Sequence, residues 1–330
     1  MKYWRNCSIP ILNKANLPAA TLCRGISVSQ LCFGTLTLGP LQKNLSPAEG
    51  GSLLYHAYAQ GVTFFDTAEL YGTYAHLRAG LAPHMGEIVI ASKSYADDRT
   101  AMAKSVERAR IELNRDYIDI FLLHEQESLH TMQGHRAALD YLLTQREKGV
   151  VRAVGISTHH VAGVRAALAS PDIDIIHPLI NLAGTGIADG TREEMAECIR
   201  VAALNGKAIY AMKALAGGAL FRQAEVALNY VRQLPGVKAL AIGMGSIADI
   251  EANVSFFATG AFPPSYAADK VRGERRLLIE PWCEGCGACV PHCRSGCLEV
   301  RGDKVEVDHS RCVLCGYCVA YCKGFFMKVV

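Results

Sequence analysis

The sequence has no run of about eighteen apolar residues, so it holds no candidate membrane-spanning helix. It also has little excess of either charge, with a formal net charge of +3 over 330 residues. That balance argues against a nucleic-acid or anionic-membrane partner. The first residues, Met1-Lys2-Tyr3-Trp4-Arg5-Asn6-Cys7, lack the apolar stretch of a secretory leader. These absences point to a cytoplasmic protein. Against them stand a composition that is 50% hydrophobic, enough for a large core, and 13 cysteines. Clustered thiols without a leader fit a reducing compartment better than a disulfide framework.

Eight of the cysteines fall in two copies of one spacing, Cys283-x2-Cys286-x2-Cys289-x3-Cys293 and Cys312-x2-Cys315-x2-Cys318-x3-Cys322. Zinc sites set their ligand pairs across a longer spacer. Three thiolates in a tight loop and a fourth from elsewhere suit a [4Fe–4S] cube, one thiolate per iron. The spacing therefore predicts two [4Fe–4S] clusters. Gly285, Gly287 and Gly316 suit loops that wrap a cluster closely. Cys7, Cys23, Cys32 and Cys198 have no ligand spacing and read as small buried hydrophobes; Cys297 reads as a packed thiol.

From Ser29 to Phe257 short apolar runs alternate with amphipathic stretches. Strands are predicted at Gln30–Phe33, Val62–Phe65, Glu87–Ala91, Tyr117–Leu123, Val150–Gly155, Ile173–Ile180, Ala208–Met212 and Ala239–Gly243. Helices are predicted at Pro47–Gln60, Tyr74–Leu81, Arg99–Leu113, Thr131–Lys148, His160–Leu168, Arg192–Leu204, Gly218–Leu234 and Ile247–Phe257. Ser46-Pro47-x-Glu49, Thr191-x-x-Glu194 and Ser246-x-x-Asp249 are start signals. Near-continuous apolar strands with helices between them predict a parallel sheet. Eight repeats favour a closed (β/α)8 barrel of the TIM type over an open sheet. The first strand runs into Gly34-Thr35-Leu36-Thr37-Leu38-Gly39, which is not the phosphate turn of a doubly wound sheet. The expected class is α/β. An N-terminal segment (1–28) caps the barrel floor, with a strand or hairpin as the plug. The barrel follows (29–257), then a linker (258–276) whose charged run Lys270–Arg276 reads as solvated, then a small α+β iron–sulfur domain (277–330).

Barrel chemistry sits at the C-terminal ends of the strands. There the sequence places Asp66 after Phe64-Phe65, Tyr71 on the following loop, Lys93 after Ala91-Ser92 and His124 after Leu122-Leu123. An ammonium at Lys93, held by Asp66, would lower the phenol pKa of Tyr71 and make it a general acid. His124 would orient a carbonyl. The bland alternative is a buried ion pair with polar neighbours closing the barrel mouth.

At these residues the chain resembles the aldo-keto reductase family. Gly61-Val62-Thr63-Phe64-Phe65-Asp66-Thr67-Ala68-Glu69-Leu70-Tyr71-Gly72 is similar to its signature. Ala91-Ser92-Lys93, Leu122-Leu123-His124, Val151–Ser157, Ile242–Ser246 and Glu251-Ala252-Asn253 follow in order. The likeness covers about residues 25–257, and the whole chain is similar to the branch with a C-terminal ferredoxin-like domain. It implies reduction of a small-molecule carbonyl, or oxidation of an alcohol, with a nicotinamide and with Asp66, Tyr71, Lys93 and His124 as catalytic tetrad. It implies cofactor contacts from Ser157, His177 in place of the usual glutamine, Asn181, Met212 in place of an aromatic ring, Gly243 and Asn253. Thr158 stands where Asn is common, and Gly243 and Asp249 stand where basic residues usually meet a 2′-phosphate. A carboxylate repels a phosphate. NAD(H) is therefore favoured over NADP(H), and no nicotinamide at all stays open. Lys213 at the same rim reads either as an anion-binding lysine or as one paired within the protein.

In two-cluster ferredoxins the fourth cysteine of each run ligates the other cube. That pairing gives Cys283, Cys286, Cys289 and Cys322 for one cluster and Cys312, Cys315, Cys318 and Cys293 for the other. Arg294 and Lys323 replace the usual proline after the fourth cysteine, which predicts raised potentials. A hydride carrier moves two electrons and a cube one, and no flavin motif links them. Three readings follow: a nicotinamide-dependent reductase whose clusters serve elsewhere; clusters that feed a substrate in the barrel; or a non-catalytic electron-transfer or redox-sensing module. A ferredoxin or flavoprotein is the expected redox partner.

Overall fold

The computed structural model describes residues 16–266, 275–293, 295–312, 314 and 316–330. A hairpin comes first, β1 (Ala19–Thr21) against β2 (Ser27–Ser29). Parallel strands then alternate with helices: β3 (Leu31–Gly34), α1 (Pro47–Ala59), β4 (Phe64–Asp66), α2 (Tyr74–Leu81), β5 (Val89–Ser94), α3 (Arg99–Leu113) and β6 (Ile118–Leu123). After them come α4 (Leu129–Gly134), α5 (Arg136–Glu147), β7 (Val151–Thr158), α6 (Val161–Ala169), β8 (Ile175–Pro178), α7 (Arg192–Leu204), β9 (Ala208–Met212), α8 (Ala224–Arg232), β10 (Val237–Gly243) and α9 (Ile247–Thr259). The eight strands close in the order β10-β3-β4-β5-β6-β7-β8-β9, the barrel expected from the apolar runs. No helix among the described residues is long and apolar enough to cross a membrane.

Most barrel strand positions are apolar because most are buried on both faces. Inward side chains Cys32, Phe64, Val89, Ile120, Ala153, Ile175, Tyr210 and Ala239 fill the lumen, and Ile26 and Val28 of the hairpin join them from below. The outward faces pack with the helices in a separate, larger cluster that includes Phe33, Phe65, Phe121 and Ile209. Close approach fixes glycine at position 155, where a Cβ would lie 2.1 Å from the Ile175 carbonyl oxygen.

Helix starts follow their caps. Both arms of the capping box form at Ser46/Glu49 and at Thr191/Glu194. At Ser246 only the hydroxyl arm forms, and the Asp249 carboxylate reaches back to the Gly245 N–H at 3.2 Å instead. Two predicted helices differ. The single helix expected over Thr131–Lys148 is two, broken at His135 (φ −93°, ψ 14°). The helix expected from Gly218 begins at Ala224, because Lys213, Ala216, Gly217 and Gly218 all take positive φ, which no right-handed helix admits.

The C-terminal segment forms two ribbons: β11 (Leu277–Ile279) pairs with β14 (Met327–Val329), and β12 (Leu298–Arg301) with β13 (Lys304–Val307). Its core gathers Leu277, Leu298, Val305, Val319, Phe325 and Met327 with several of the cysteines. It docks on the rim where the barrel strands end. The Val329 N–H bonds the Gly217 carbonyl at 2.8 Å, and Gly316 lies so close to Ala219 that a Cβ would approach to 2.9 Å.

Candidate active site at the barrel rim

Register brings the rim residues together. Asp66 ends β4 beside Ala91, and Lys93 lies two residues further along β5. Lys93, 1% exposed, donates to Asp66 Oδ1 at 2.6 Å and to the Thr67 carbonyl at 2.8 Å. Tyr71 ends a short 3-10 turn closed by Gly72 at φ 64°. Its ring centroid lies 4.9 Å from Lys93 Nζ and 5.8 Å from the His124 ring, edge to face. The four expected residues thus share one rim.

The electrostatics differ from expectation. Loss of water raises the Tyr71 phenol well above its ordinary value, and the charges of Asp66 and Glu125 raise it further. The phenol is therefore a firmly protonated donor. His124 is held well below the usual imidazole range by burial first, then by Lys93 and neighbouring cations. It is a neutral ring, stacked on Tyr95 at 4.2 Å, and its buried Nδ1 has no partner among the described residues.

Sequence reasoning missed Tyr210 and read His177 only as a cofactor contact. Tyr210 donates to Asp66 Oδ2 at 3.0 Å, and His177 stacks on Tyr210 with centroids 3.9 Å apart. His177 Nδ1 meets the Tyr210 carbonyl at 2.7 Å, while its Nε2 lies 3.7 Å from Asp66. Burial brings its pKa down to about 4, so this ring is neutral too. The signal was present: a tyrosine pointing inward from an apolar strand needs a polar partner when buried.

A cleft of about 180 Å³ opens beside these groups, lined by Asp66, Tyr71, His177, Met212, Lys213, Gly243 and Asn253 among others. Of the expected cofactor residues, His177, Met212, Gly243 and Asn253 face it. Ser157 and Asn181 do not line it. The Ser157 hydroxyl accepts from the Glu125 N–H at 2.9 Å, and the Asn181 amide is engaged within its own turn, donating to the Thr185 carbonyl at 2.8 Å. Asn253, 6% exposed, leaves its Oδ1 unpartnered among the described residues. Arg275, expected to be solvated, instead reaches Asp249 at 3.4 Å and lies 5.2 Å over the Phe221 ring. It offsets the very carboxylate that argued against a phosphate.

The thiols fall into two neighbourhoods. Cys289 and Cys322 feel each other and Cys283 and Cys286. Cys293, Cys312 and Cys318 line a small hollow with Cys297, whose sulfur is 3.3 Å from that of Cys293. Cys315 and Arg294 lie outside the described residues. The fourth cysteine of each run receives an N–H from the residue four further on: Cys297 to Cys293 at 3.3 Å and Phe326 to Cys322 at 3.2 Å. Such bonds tune cluster thiolates. Gly285, Gly287 and Gly316 all take positive φ. Among the described residues no three His, Cys, Asp or Glu side chains converge on a single metal ion. A cube spaces its ligands around four irons rather than one.

Comparison with known proteins places the barrel. Residues 30–225 match the Aldo/keto reductase family, and the chain belongs to it. Probable aldo-keto reductase 1 of Glycine max is 28% identical over 172 residues, 47% of this chain and 47% of that protein. Methylglyoxal reductase DkgA of Yersinia pestis is 25% identical over 187 residues, 53% of this chain and 65% of its own length. The chain thus spans about half the length of the first of these curated relatives. A Pseudomonas aeruginosa protein assigned to the aldo-keto reductases has TM-score 0.62 at 25% identity, over 74% of this chain and 96% of its own.

Proposed function

We propose that the chain reduces the carbonyl group of a small molecule to an alcohol. The observation that carries this is the convergence of Tyr71, the Lys93–Asp66 pair and His124 at one rim of a cleft. A nicotinamide dinucleotide, held by Met212, His177, Gly243 and Asn253, would supply a hydride when bound. Tyr71 gives its phenolic proton to the carbonyl oxygen as charge develops there. Neutral His124 hydrogen-bonds that oxygen and fixes its place. Lys93 and Asp66 keep the phenol in position. A protonated phenol favours reduction, since alcohol oxidation would first require the phenolate. The name of the Yersinia pestis relative, a methylglyoxal reductase, agrees with this direction.

The C-terminal segment would hold two [4Fe–4S] clusters, one on Cys283, Cys286, Cys289 and Cys322, the other on Cys312, Cys315, Cys318 and Cys293. These would supply single electrons, exchanged with a ferredoxin or flavoprotein. A second reading has the clusters feeding the substrate itself. It is favoured by Phe325, three residues past Cys322, whose ring lies 5.0 Å from Lys213 Nζ at the cleft. The experiment is anaerobic addition of NADH or NADPH to wild type and Tyr71→Phe. The variant should lose turnover of aldehydes by about 10²- to 10⁴-fold, the weight of one general acid, while still quenching on dinucleotide addition. Reduction by reduced ferredoxin with no dinucleotide binding selects the second reading. Undiminished aldehyde turnover in Tyr71→Phe would remove Tyr71 as the acid, and no turnover in wild type would leave a non-catalytic redox module.

A further inference from the structure

Lys213 follows β9 directly and lines the cleft that holds Tyr71 and Asp66. The other described cations lining the cleft are engaged: Lys328 with Glu280, Arg275 with Asp249, and Lys43 with the Gly245 carbonyl. Lys213 has no such acceptor among the described residues; its amine stands 5.0 Å over the Phe325 ring. Nearby carboxylates are taken, Glu280 by Lys328 and Glu125 by the Tyr95 hydroxyl at 2.7 Å with His159 at 3.8 Å. The backbone holds Lys213 at φ 60°, where a glycine would rest without strain. A strained residue whose amine has no acceptor, on the wall of a cleft, is a mark of a ligand.

We propose that Lys213 receives the carboxylate of an oxo-acid substrate, holding it while the substrate's carbonyl meets Tyr71 and His124. The proposal deepens the carbonyl-reductase reading and rests on it. Lys328 lies near enough to repel the Lys213 amine, and an anion set against that amine relieves the repulsion. Burial, and next Lys328, bring the Lys213 pKa down to about 7. The other groups that face it are Lys93 from β5, His124 and Glu125 beyond β6, His159 beyond β7, and Glu280 and Lys328 from the C-terminal segment. His159 is brought down to about 4 and His124 lies well below its usual range, so neither gains a charge near neutrality. An anion binds the ammonium form, so its affinity should fall as pH rises from about 7.

The test measures binding rather than turnover. Glyoxylate, 2-oxobutanoate and 4-oxobutanoate, with the neutral carbonyls propanal and butanone, are titrated by calorimetry into the full-length protein at pH 6.5 and 8.5. Wild type should prefer at least one oxo-acid over the neutral carbonyls and lose that preference about tenfold at the higher pH. Lys213→Gly suits the left-handed backbone and should fold. It should lower the oxo-acid to neutral affinity ratio at least about tenfold, the scale of one charge-assisted hydrogen bond. Lys213→Arg should keep most of it. An unchanged ratio in Lys213→Gly overturns the proposal. So does a ratio that holds while dinucleotide affinity collapses, which would assign Lys213 to the cofactor's pyrophosphate. If the protein binds oxo-acids through Lys213 yet reduces none of them, the carbonyl-reductase reading fails and the anion site stands.

Discussion

Replacing Asp66 by Asn tests the centre of the site. Asp66, 4% exposed, accepts from Lys93 at 2.6 Å through one oxygen and from Tyr210 at 3.0 Å through the other. Asn has the same shape but no charge. Its oxygen stays on Lys93, because turning its NH2 there would set donor against donor. The ammonium, 1% exposed, is then left with two neutral carbonyl acceptors. Removing one partner of a buried pair costs about 3–5 kcal/mol, and the surviving dipole puts this case near 3. For a barrel of this size each kcal/mol moves the midpoint by about 2–4 °C, so thermal unfolding should fall by about 6–12 °C. Asp66→Asn/Lys93→Met removes the orphaned ammonium and should recover part of the loss, which an additive pair of defects would not do. The measurement is circular dichroism melting of the three variants beside wild type. An Asp66→Asn midpoint within about 2 °C of wild type, the change a surface pair gives, refutes the argument, as does a double variant less stable than the single.

Anaerobically prepared protein should carry about eight irons and eight sulfides for two cubes. Cys322→Ser should deplete the cube of Cys283, Cys286 and Cys289, and Cys293→Ser the other, about four irons each by colorimetric assay; loss of the same cube in both would reverse the pairing. Arg275→Gln exposes the Asp249 carboxylate, so NADPH affinity by fluorescence quenching should drop about tenfold or more, and more than NADH affinity. Equal small effects on both would show that Arg275 does not face the phosphate.

The barrel was legible because most strands write their burial as an apolar run and several helices mark their starts. Ser46, Thr191 and Ser246 cap the helices they were expected to cap. The rim residues were legible because a charge at the end of an apolar strand has few other places to go. What the sequence leaves unread is non-local. Tyr71's protonation follows from its burial and from the charges of Asp66 and Glu125, which only the folded chain sets around it. Ser157 and Asn181 are drawn into loop bonds, which residue type alone does not forecast. Arg275 sat in a charged run that reads as solvent-facing, and its docking on Asp249 and Phe221 depends on the C-terminal segment folding back.

That folding back shapes the loop after β9. Lys213, Ala216, Gly217 and Gly218 all have positive φ, an arrangement that costs the two non-glycine residues about 1 kcal/mol or more each. The loop is met at several points by the C-terminal segment. Phe325 packs on Gly217 and faces Lys213; Val329 crowds Gly218, where a Cβ would lie 2.0 Å from its carbonyl oxygen; and the Val329 N–H closes on Gly217. The same strand, β14, pairs with β11, just beyond Arg275, and the Arg276 and Val330 backbones exchange both hydrogen bonds. One ribbon therefore sets a cation at each end of the cleft, Lys213 beside the phenol and Arg275 beside Asp249. Lys328, Val329 and Val330 themselves line the cleft, so the cysteine-bearing segment supplies one of its walls.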